Sequence, residues 1–477
     1  MVATAAEDGV RYDDTLVAIA DFASSTRRAA MTDEAVHAIV RLHLDAIGCA
    51  AGGFAGEPSR IARELASSYP DERGVSVFGV SHKTIADYGV FANSSQTRHL
   101  DFNDVYSGSV VGGGHPSDMA AALFGAAEML GRPGADVVVA LYTAYEIYGA
   151  IADTYPVRRR GFDQGANLAV STSAGLGRLL GLTPLQIRNA ISIALTAGLP
   201  LRAVRAGELS HWKGCAAAYA TMTAMFATRL AQAGMTGPPA VFTGTDGFEH
   251  HITDGTPLSL EFSTDDRGRS IGERAQIKFY PSEQSTQGPI GVALALRDRI
   301  PSLDAIEKIH VETYHLAWHE IGGGQGDAKE KWDPRTRESA DHSLPYVIAA
   351  ALVDGEVTID TFELERVHDP ALRPLMAKVE IVVDDAMTKA YEEEWKLSSR
   401  LSIHLTDGTV VTGSVEYPKG HTENPLDDEE LSAKYRTMTP KVMSDADADR
   451  LLELLWQLDS LDSLDEIAAL YRGWNVR

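Results

Sequence analysis

Leu401-Ser402-Ile403-His404-Leu405-Thr406-Asp407-Gly408-Thr409-Val410-Val411-Thr412-Gly413-Ser414-Val415 is the stretch that decides the fold class. Two runs, 401–405 and 409–415, flank Asp407-Gly408. Asp-Gly suits a two-residue hairpin turn, so the stretch predicts paired strands. Working back toward the N-terminus, Ala275-Gln276-Ile277-Lys278-Phe279-Tyr280, 306–313 and 376–383 also read as strands. Helical segments at 288–299 and 343–352 lie between them. Residues 276–418 therefore read as a smaller α+β domain.

Outside that region the pattern is helical. Leu16, Val17, Ile19, Ala20 and Phe22, then Ala35, Val36, Ile39, Val40, Leu42, Leu44 and Ile47, recur at three- and four-residue spacing. Thr183-Pro184-Leu185-Gln186 carries an N-cap threonine, a proline at the first helical position and a capping-box glutamine. The Ala-rich run 216–233 predicts a closely packed helix stopped by Gly234. Asp427-Asp428-Glu429-Glu430 reads as a solvated helix start, and 446–458 and 464–471 return to helix. The expected fold is mostly α: a large all-α domain at 1–275, the α+β domain at 276–418, and C-terminal helices at 419–477 that rejoin the helical domain.

The chain carries 43 basic and 67 acidic residues, a net charge of -24. Nucleic acid and anionic membrane surfaces need a positive footprint, so neither is an expected partner. A small anion held by a local basic cluster remains open. Two cysteines, Cys49 and Cys215, are too few for an iron–sulfur cluster and read as small buried residues. The stretch Met1 to Asp14 has no basic-then-apolar pattern of a signal peptide. The most apolar stretch, 137–151, is interrupted by Glu146 and is too short to span a bilayer. A cytoplasmic location is expected.

Four segments concentrate chemistry. Arg98-His99-Leu100-Asp101-Phe102-Asn103-Asp104 leads through Gly112-Gly113-Gly114 to His115-Pro116-Ser117-Asp118, setting carboxylates and a histidine about a dozen residues apart. The bland alternative is a surface turn with Ser117 or Asp118 capping a helix. Ser210-His211-Trp212-Lys213-Gly214 opens the Ala-rich helix. Lys213 is either an exposed charge or a substrate anchor. Lys278-Phe279-Tyr280-Pro281-Ser282-Glu283 lies at the domain boundary, where Lys278 and Glu283 could face one cleft. Asp333 to Tyr346 packs Arg335, Arg337, His342 and Tyr346 into a loop entering a helix. Arginine forks match carboxylates, and tyrosine or histidine can act as a general acid.

Other signals fail. Gly322-Gly323-Gly324-Gln325-Gly326 lacks the setting of a dinucleotide loop, and His319-Glu320 lacks the second histidine of a zinc helix. Arg158-Arg159-Arg160 reads as a solvated helix end that could help attract an anion.

In order and spacing, these segments resemble the MmgE/PrpD family, which includes 2-methylcitrate dehydratase, cis-aconitate decarboxylase and iminodisuccinate epimerase. Trp212-Lys213-Gly214, Gly234-Met235-Thr236-Gly237-Pro238, Gly244-Thr245-Asp246-Gly247-Phe248 and Leu352-Val353-Asp354-Gly355 extend the match across most of the chain. The resemblance implies a helical domain closed by an α+β lid, a homodimer, no metal and no organic cofactor. It implies Asp101, His115, Lys213, Lys278, Tyr346 and His342 as catalytic residues. Asp104, Glu283, Arg335, Arg337 and Gln164 would contact a di- or tricarboxylate substrate. Three departures stand out. Val105 replaces a frequent threonine. Glu283 stands where the decarboxylase branch has histidine. Gln164 ends a segment that is often Asp-His in dehydratases.

The expected reaction is cofactor-independent: a proton beside a carboxylate is removed and water is eliminated. Epimerisation of an imino or amino dicarboxylate and decarboxylation of the cis-aconitate type are the enzymatic alternatives. A carboxylate-binding or scaffold protein is the non-enzymatic one.

Overall fold

The computed structural model describes residues 10–110, 112–262 and 264–477. Of the N-terminal stretch read for a signal peptide, residues 1–9 lie outside these. The protein is 57% helical with a small mixed sheet of four strands. In that sheet β2 (Ile306–Thr313), β3 (Val379–Val383), β4 (Ser399–Leu405) and β5 (Val410–Val415) run in the order β3-β2-β4-β5. A short β1 (Pro70–Val75) lies among the N-terminal helices, where only helix was expected.

The hairpin forms as its sequence predicts: β4 and β5 pair antiparallel, with His404 opposite Val410. β2 pairs antiparallel with β4 and parallel with β3. Alternation places Ile309, Val311, Leu401 and Ile403 on one face, fully buried against Ile290, Ala293, Val347 and Ile348 of the helices Gln287–Arg297 and Leu344–Asp354. Each fully buried aliphatic side chain contributes about 1.5–3 kcal/mol.

Two segments expected as strands differ. Residues 275–280 make a single bridge, Val105 to Gln276, and then turn. Phe279 and Tyr280 donate their N–H groups to Gln287 Oε1 at 3.0 and 2.9 Å, and Pro281 has no N–H for a ladder. Met376 ends the short helix Arg373–Met376, so β3 starts only at Val379.

Two apolar clusters organise the helices. One joins Ile39, Leu44, Leu123 and Tyr145 to Leu431, Leu451, Leu455 and Ile467 from the end of the chain. The C-terminal helices thus pack beside the N-terminal ones rather than on the sheet. The other joins Leu16 and Ile19 to Ile187, Ile191 and Phe242. The capping box at Thr183 and Gln186 opens Pro184–Ala197, and a second one at Asp427 and Glu430 opens Asp428–Met438. The apolar stretch around 137–151 belongs to a longer helix, Gly134–Thr154, of 21 residues. Its length and composition would allow a membrane crossing, but 83% of its apolar window is buried inside the protein. It is apolar on all sides because it is packed on all sides.

Candidate active site

The site forms where the helix Ala86–His99 ends. Asp101 follows two residues later with φ +50°, a left-handed conformation uncommon outside glycine that costs about 1–2 kcal/mol. The turn buries the Asp101 carboxylate among three cations. Arg98 Nη1 and Lys278 Nζ donate to Oδ1 at 2.8 and 2.6 Å, and Lys213 Nζ lies 2.9 Å from Oδ2. Lys278 also donates to the Asp101 carbonyl at 2.6 Å. Burial pushes the Asp101 carboxyl up, but Arg98, Lys213 and Lys278 outweigh it and hold the group well below the usual carboxylate range. Asp101 is therefore held as an anion between these cations.

Two imidazoles flank this anion. His115 Nδ1 lies 2.7 Å from the carbonyl oxygen of Asp104. A carbonyl only accepts, so Nδ1 carries the proton and Nε2 keeps its lone pair, 3.6 Å from Asp101 Oδ1. His342 comes from the other side, with its Nδ1 also 3.2 Å from the Lys213 Nζ. Its Nδ1 lies 2.6 Å from Asp341 Oδ1, and its Nε2 lies 3.7 Å from Asp101 Oδ2. Burial, then the neighbouring cations Arg98 and Lys278, depress His115 well below the normal imidazole value. Burial and Lys213 bring His342 to about 4 against the opposing pull of Asp341. Both rings are neutral at pH 7 and can accept a proton.

Glu283 behaves oppositely to Asp101. Burial, then the negative charge of Glu320, raises its carboxyl to about 7, against the pull of Lys278. One oxygen accepts from the Ser285 N–H at 2.5 Å. This carboxyl can donate a proton near neutrality.

Asp101, His115, Lys278, Glu283, His342 and Gln164 all line one cavity. It has about 70 Å³ of space for water centres, room for on the order of five waters. Gln164 braces it. Its Oε1 accepts from the His115 N–H at 2.6 Å and the Tyr148 hydroxyl at 2.7 Å, and its Nε2 donates to Asp118 at 3.0 Å. Lys213 sits just behind, 2.9 Å from both Asp101 Oδ2 and Asp341 Oδ1. Asp101, Asp341 and His342 offer ligand atoms within 4.8 Å of one another, a spacing a metal ion could use. The Lys213 ammonium already supplies the positive charge between the two carboxylates.

Besides Lys213, four expected residues do not line the cavity. Asp104 is fully buried behind it, accepting from the Ser117 N–H at 3.1 Å and the Tyr145 hydroxyl at 2.8 Å. It holds the His115 loop, and Ser117 and Asp118 are buried with it rather than capping a surface helix. Tyr346 points into the sheet-side core, where its hydroxyl donates to the Thr361 carbonyl at 2.5 Å. Arg335 is exposed and pairs with Asp333. Arg337 reaches one turn forward to Asp341 at 3.0 Å and donates to the His99 carbonyl at 3.0 Å, so it positions the Asp341–His342 pair.

The cavity's other cations come from elsewhere. Arg158 and Arg202 both pair with Glu320, and Arg205 holds Asp163 through two bonds of 2.8 and 3.2 Å. Arg158 lies in the run read as a solvated helix end. Arg202 and Arg205 went unread, although their three-residue spacing puts both on one side of a single tight turn, Arg202–Arg205. Arg98 stands three residues before Asp101 in the 98–104 motif, a spacing that by itself gives it no role.

Comparison with known proteins places the chain in a family. The MmgE/PrpD N-terminal domain matches residues 17–261, and the MmgE/PrpD C-terminal domain matches residues 280–459. The 2-methylcitrate dehydratase of Cupriavidus necator is 28% identical over 372 residues, covering 73% of this chain and 74% of that protein. The 2-methylcitrate dehydratase of Escherichia coli K12 is 27% identical, covering 80% and 81%. The cis-aconitate decarboxylase of Mus musculus is 23% identical, covering 94% and 91%. With both domains matched in order along its length, the chain belongs to the MmgE/PrpD family.

Proposed function

We propose that the protein is a lyase that removes a proton beside a carboxylate of a small di- or tricarboxylate and eliminates water, as a 2-methylcitrate dehydratase does. The observation that carries this reading is the pairing, in one cation-lined cavity, of a neutral His115 whose Nε2 is unprotonated with a Glu283 carboxyl poised near 7. The similarity to two 2-methylcitrate dehydratases supports it.

The steps follow from the side chains. Lys278 and the cavity arginines hold the substrate carboxylates. His115 Nε2 takes the proton from the carbon beside one of them. The imidazolium that forms lies 3.6 Å from the Asp101 carboxylate, which stabilises it. Negative charge spreads into the substrate carboxylate, beside Lys278. The carbon–oxygen bond to the hydroxyl then breaks as Glu283 donates its proton, and water leaves. An alkene remains. His342, neutral and on the other flank of Asp101, is the second proton acceptor within reach. Glu283 as a proton donor to oxygen favours loss of water over loss of carbon dioxide.

The α+β part acts as a lid, because Lys278, Glu283 and His342 reach the cavity from it while Asp101 and His115 come from the helices. The enzyme is a homodimer in this reading. Trp212, Tyr219 and Phe226, seven residues apart on the helix Trp212–Gln232, are 46%, 44% and 54% exposed, an apolar strip that a second copy would cover. A monomeric mass by light scattering would refute that assignment. The two buried unpaired thiols, Cys49 and Cys215, fit a cytoplasmic location.

Proton NMR of 2-methylcitrate in D2O with the chelator-treated protein tests the reaction. A new alkene signal is expected, and His115→Ala should slow its appearance at least ~100-fold, the scale of one acid/base group. Unchanged substrate over hours, or near-wild-type turnover by a folded His115→Ala variant, would refute the mechanism.

A further inference from the structure

Glu320, at the far side of the cavity, takes no step of its own in the reaction above. Glu320 lies on the helix His315–Ile321 of the α+β part. One of its oxygens accepts from both Arg158 Nη2 and Arg202 Nη2, which belong to the one-turn helices Val157–Arg160 and Arg202–Arg205. The Glu320 side chain is only 11% exposed. All three residues line the site cavity, and all three also line a second, outer cavity of about 260 Å³. One carboxylate between two guanidiniums is therefore part of the wall between the two spaces.

The segment that follows is Gly322-Gly323-Gly324-Gln325-Gly326, the run that fails as a dinucleotide loop. Gly323 and Gly326 take φ +86° and +83°, a conformation that other residues adopt only under strain. Gln325 lines the site cavity. The helix carrying Glu320 thus ends in a glycine-rich segment.

We propose that Glu320 is a resident counter-ion that a substrate carboxylate displaces: the incoming anion takes over Arg158 and Arg202, and Glu320 swings toward the outer cavity on the glycine segment. This rests on reading the site as a pocket for a di- or tricarboxylate. The exchange swaps one carboxylate for another, so neither guanidinium is left buried without a partner, the situation that makes broken buried ion pairs costly. A neutral molecule of the same size cannot make the exchange. The gate therefore selects ligands that carry a carboxylate away from the reacting carbon. It also keeps the arginines neutralised in the empty enzyme, at the cost of competing with every ligand.

The test uses propane-1,2,3-tricarboxylate, which has no hydroxyl to lose. Its binding to the wild type and to Glu320→Gln is measured by titration calorimetry. A counter-ion that occupies the arginines most of the time masks affinity in proportion, so the neutral variant should bind at least ~5-fold tighter. Unchanged or weaker binding would overturn the gate and make the pair a structural clamp. A second measurement needs no variant. Hydrogen exchange of peptides spanning 315–327 in the wild type should speed up when the tricarboxylate saturates the site, and slower or unchanged exchange there also overturns the gate. Turnover of 2-methylcitrate by the wild type is followed alongside. Turnover without tighter binding by Glu320→Gln refutes the gate and leaves the lyase standing. Tighter binding without turnover does the reverse. No tricarboxylate binding by either protein, with no turnover, refutes both.

Discussion

Asp101 and Glu283 are two carboxyls on one small cavity, and they sit at opposite ends of the carboxyl range. Burial pushes both upward. Around Asp101 the helix end, the Lys213 helix and the Lys278 turn deliver three cations within 2.9 Å, and the group stays an anion. Around Glu283 the next influence after burial is another carboxylate, Glu320, and the group rises to about 7. The same side-chain chemistry becomes an electrostatic anchor in one place and a proton donor in the other. Dehydration sets the upward push, and the count of nearby cations decides the outcome. Two carboxyls pushed apart in this way are how one cavity can hold both a permanent anion and an acid.

The comparison is broken most severely at Asp101. Asp101→Asn keeps the shape and removes the anion, leaving Arg98, Lys213 and Lys278 crowded without their shared partner. Removing one member of a buried ion pair costs about 3–5 kcal/mol, so urea unfolding should show a loss on that scale. Turnover should fall by more than ~100-fold, because the His115 imidazolium loses its stabilising charge. A variant as stable and active as the wild type would mean that the three cations are not organised by Asp101.

Glu283→Gln tests the other pole and should cost less. It cannot donate a proton, so turnover should drop by about 100-fold while the tricarboxylate still binds. The pH profile gives the sharper result. In the wild type the acid must be protonated, so activity should fall as pH rises through about 7, and that limb should vanish in the variant. Stability has the matching sign. The folded carboxyl lies above its ordinary value of 4.5, so its contribution is complete below about pH 4.5 and is lost as pH rises through about 7. Glu283→Gln should flatten that part of the stability profile. An unchanged alkaline limb would assign the donor elsewhere.

Much of the scaffold around this contrast was legible in the sequence, because it is written locally. The Asp407-Gly408 hairpin, the caps at Thr183 and Asp427 and the periodic apolar faces all depend on neighbours a few residues apart. Residues 275–280 misled because their alternation ends in a turn that Gln287 holds. The site divided along the same line. Asp101, His115, Lys278 and His342 stand in compact motifs and meet. Arg158, Arg202 and Glu320 meet only through pairings across 162 and 118 residues, which no local pattern encodes. Tyr346 and Arg337 stand in the right motif but face the wrong way. Helix geometry turns Tyr346 into the sheet-side core and brings Arg337 onto Asp341, four positions along.

Tyr346 supplies the smallest expected effect and the control for the comparison. It stands four residues after His342 in the same motif, yet its hydroxyl is spent on the Thr361 carbonyl, outside the cavity that Asp101 and Glu283 share. If proximity in the motif governed its role, Tyr346→Phe would lower turnover like the loss of a proton donor. If the packing governs, the variant loses one buried hydrogen bond, about 1–2 kcal/mol of stability, and keeps turnover within about twofold. Thermal or urea unfolding beside steady-state kinetics separates the two. A stable Tyr346→Phe enzyme with turnover reduced ~100-fold would return the tyrosine to the chemistry and remove Glu283's claim to be the acid. Full turnover with a modest stability loss would confine proton donation to the carboxyl that burial and Glu320 hold near neutrality.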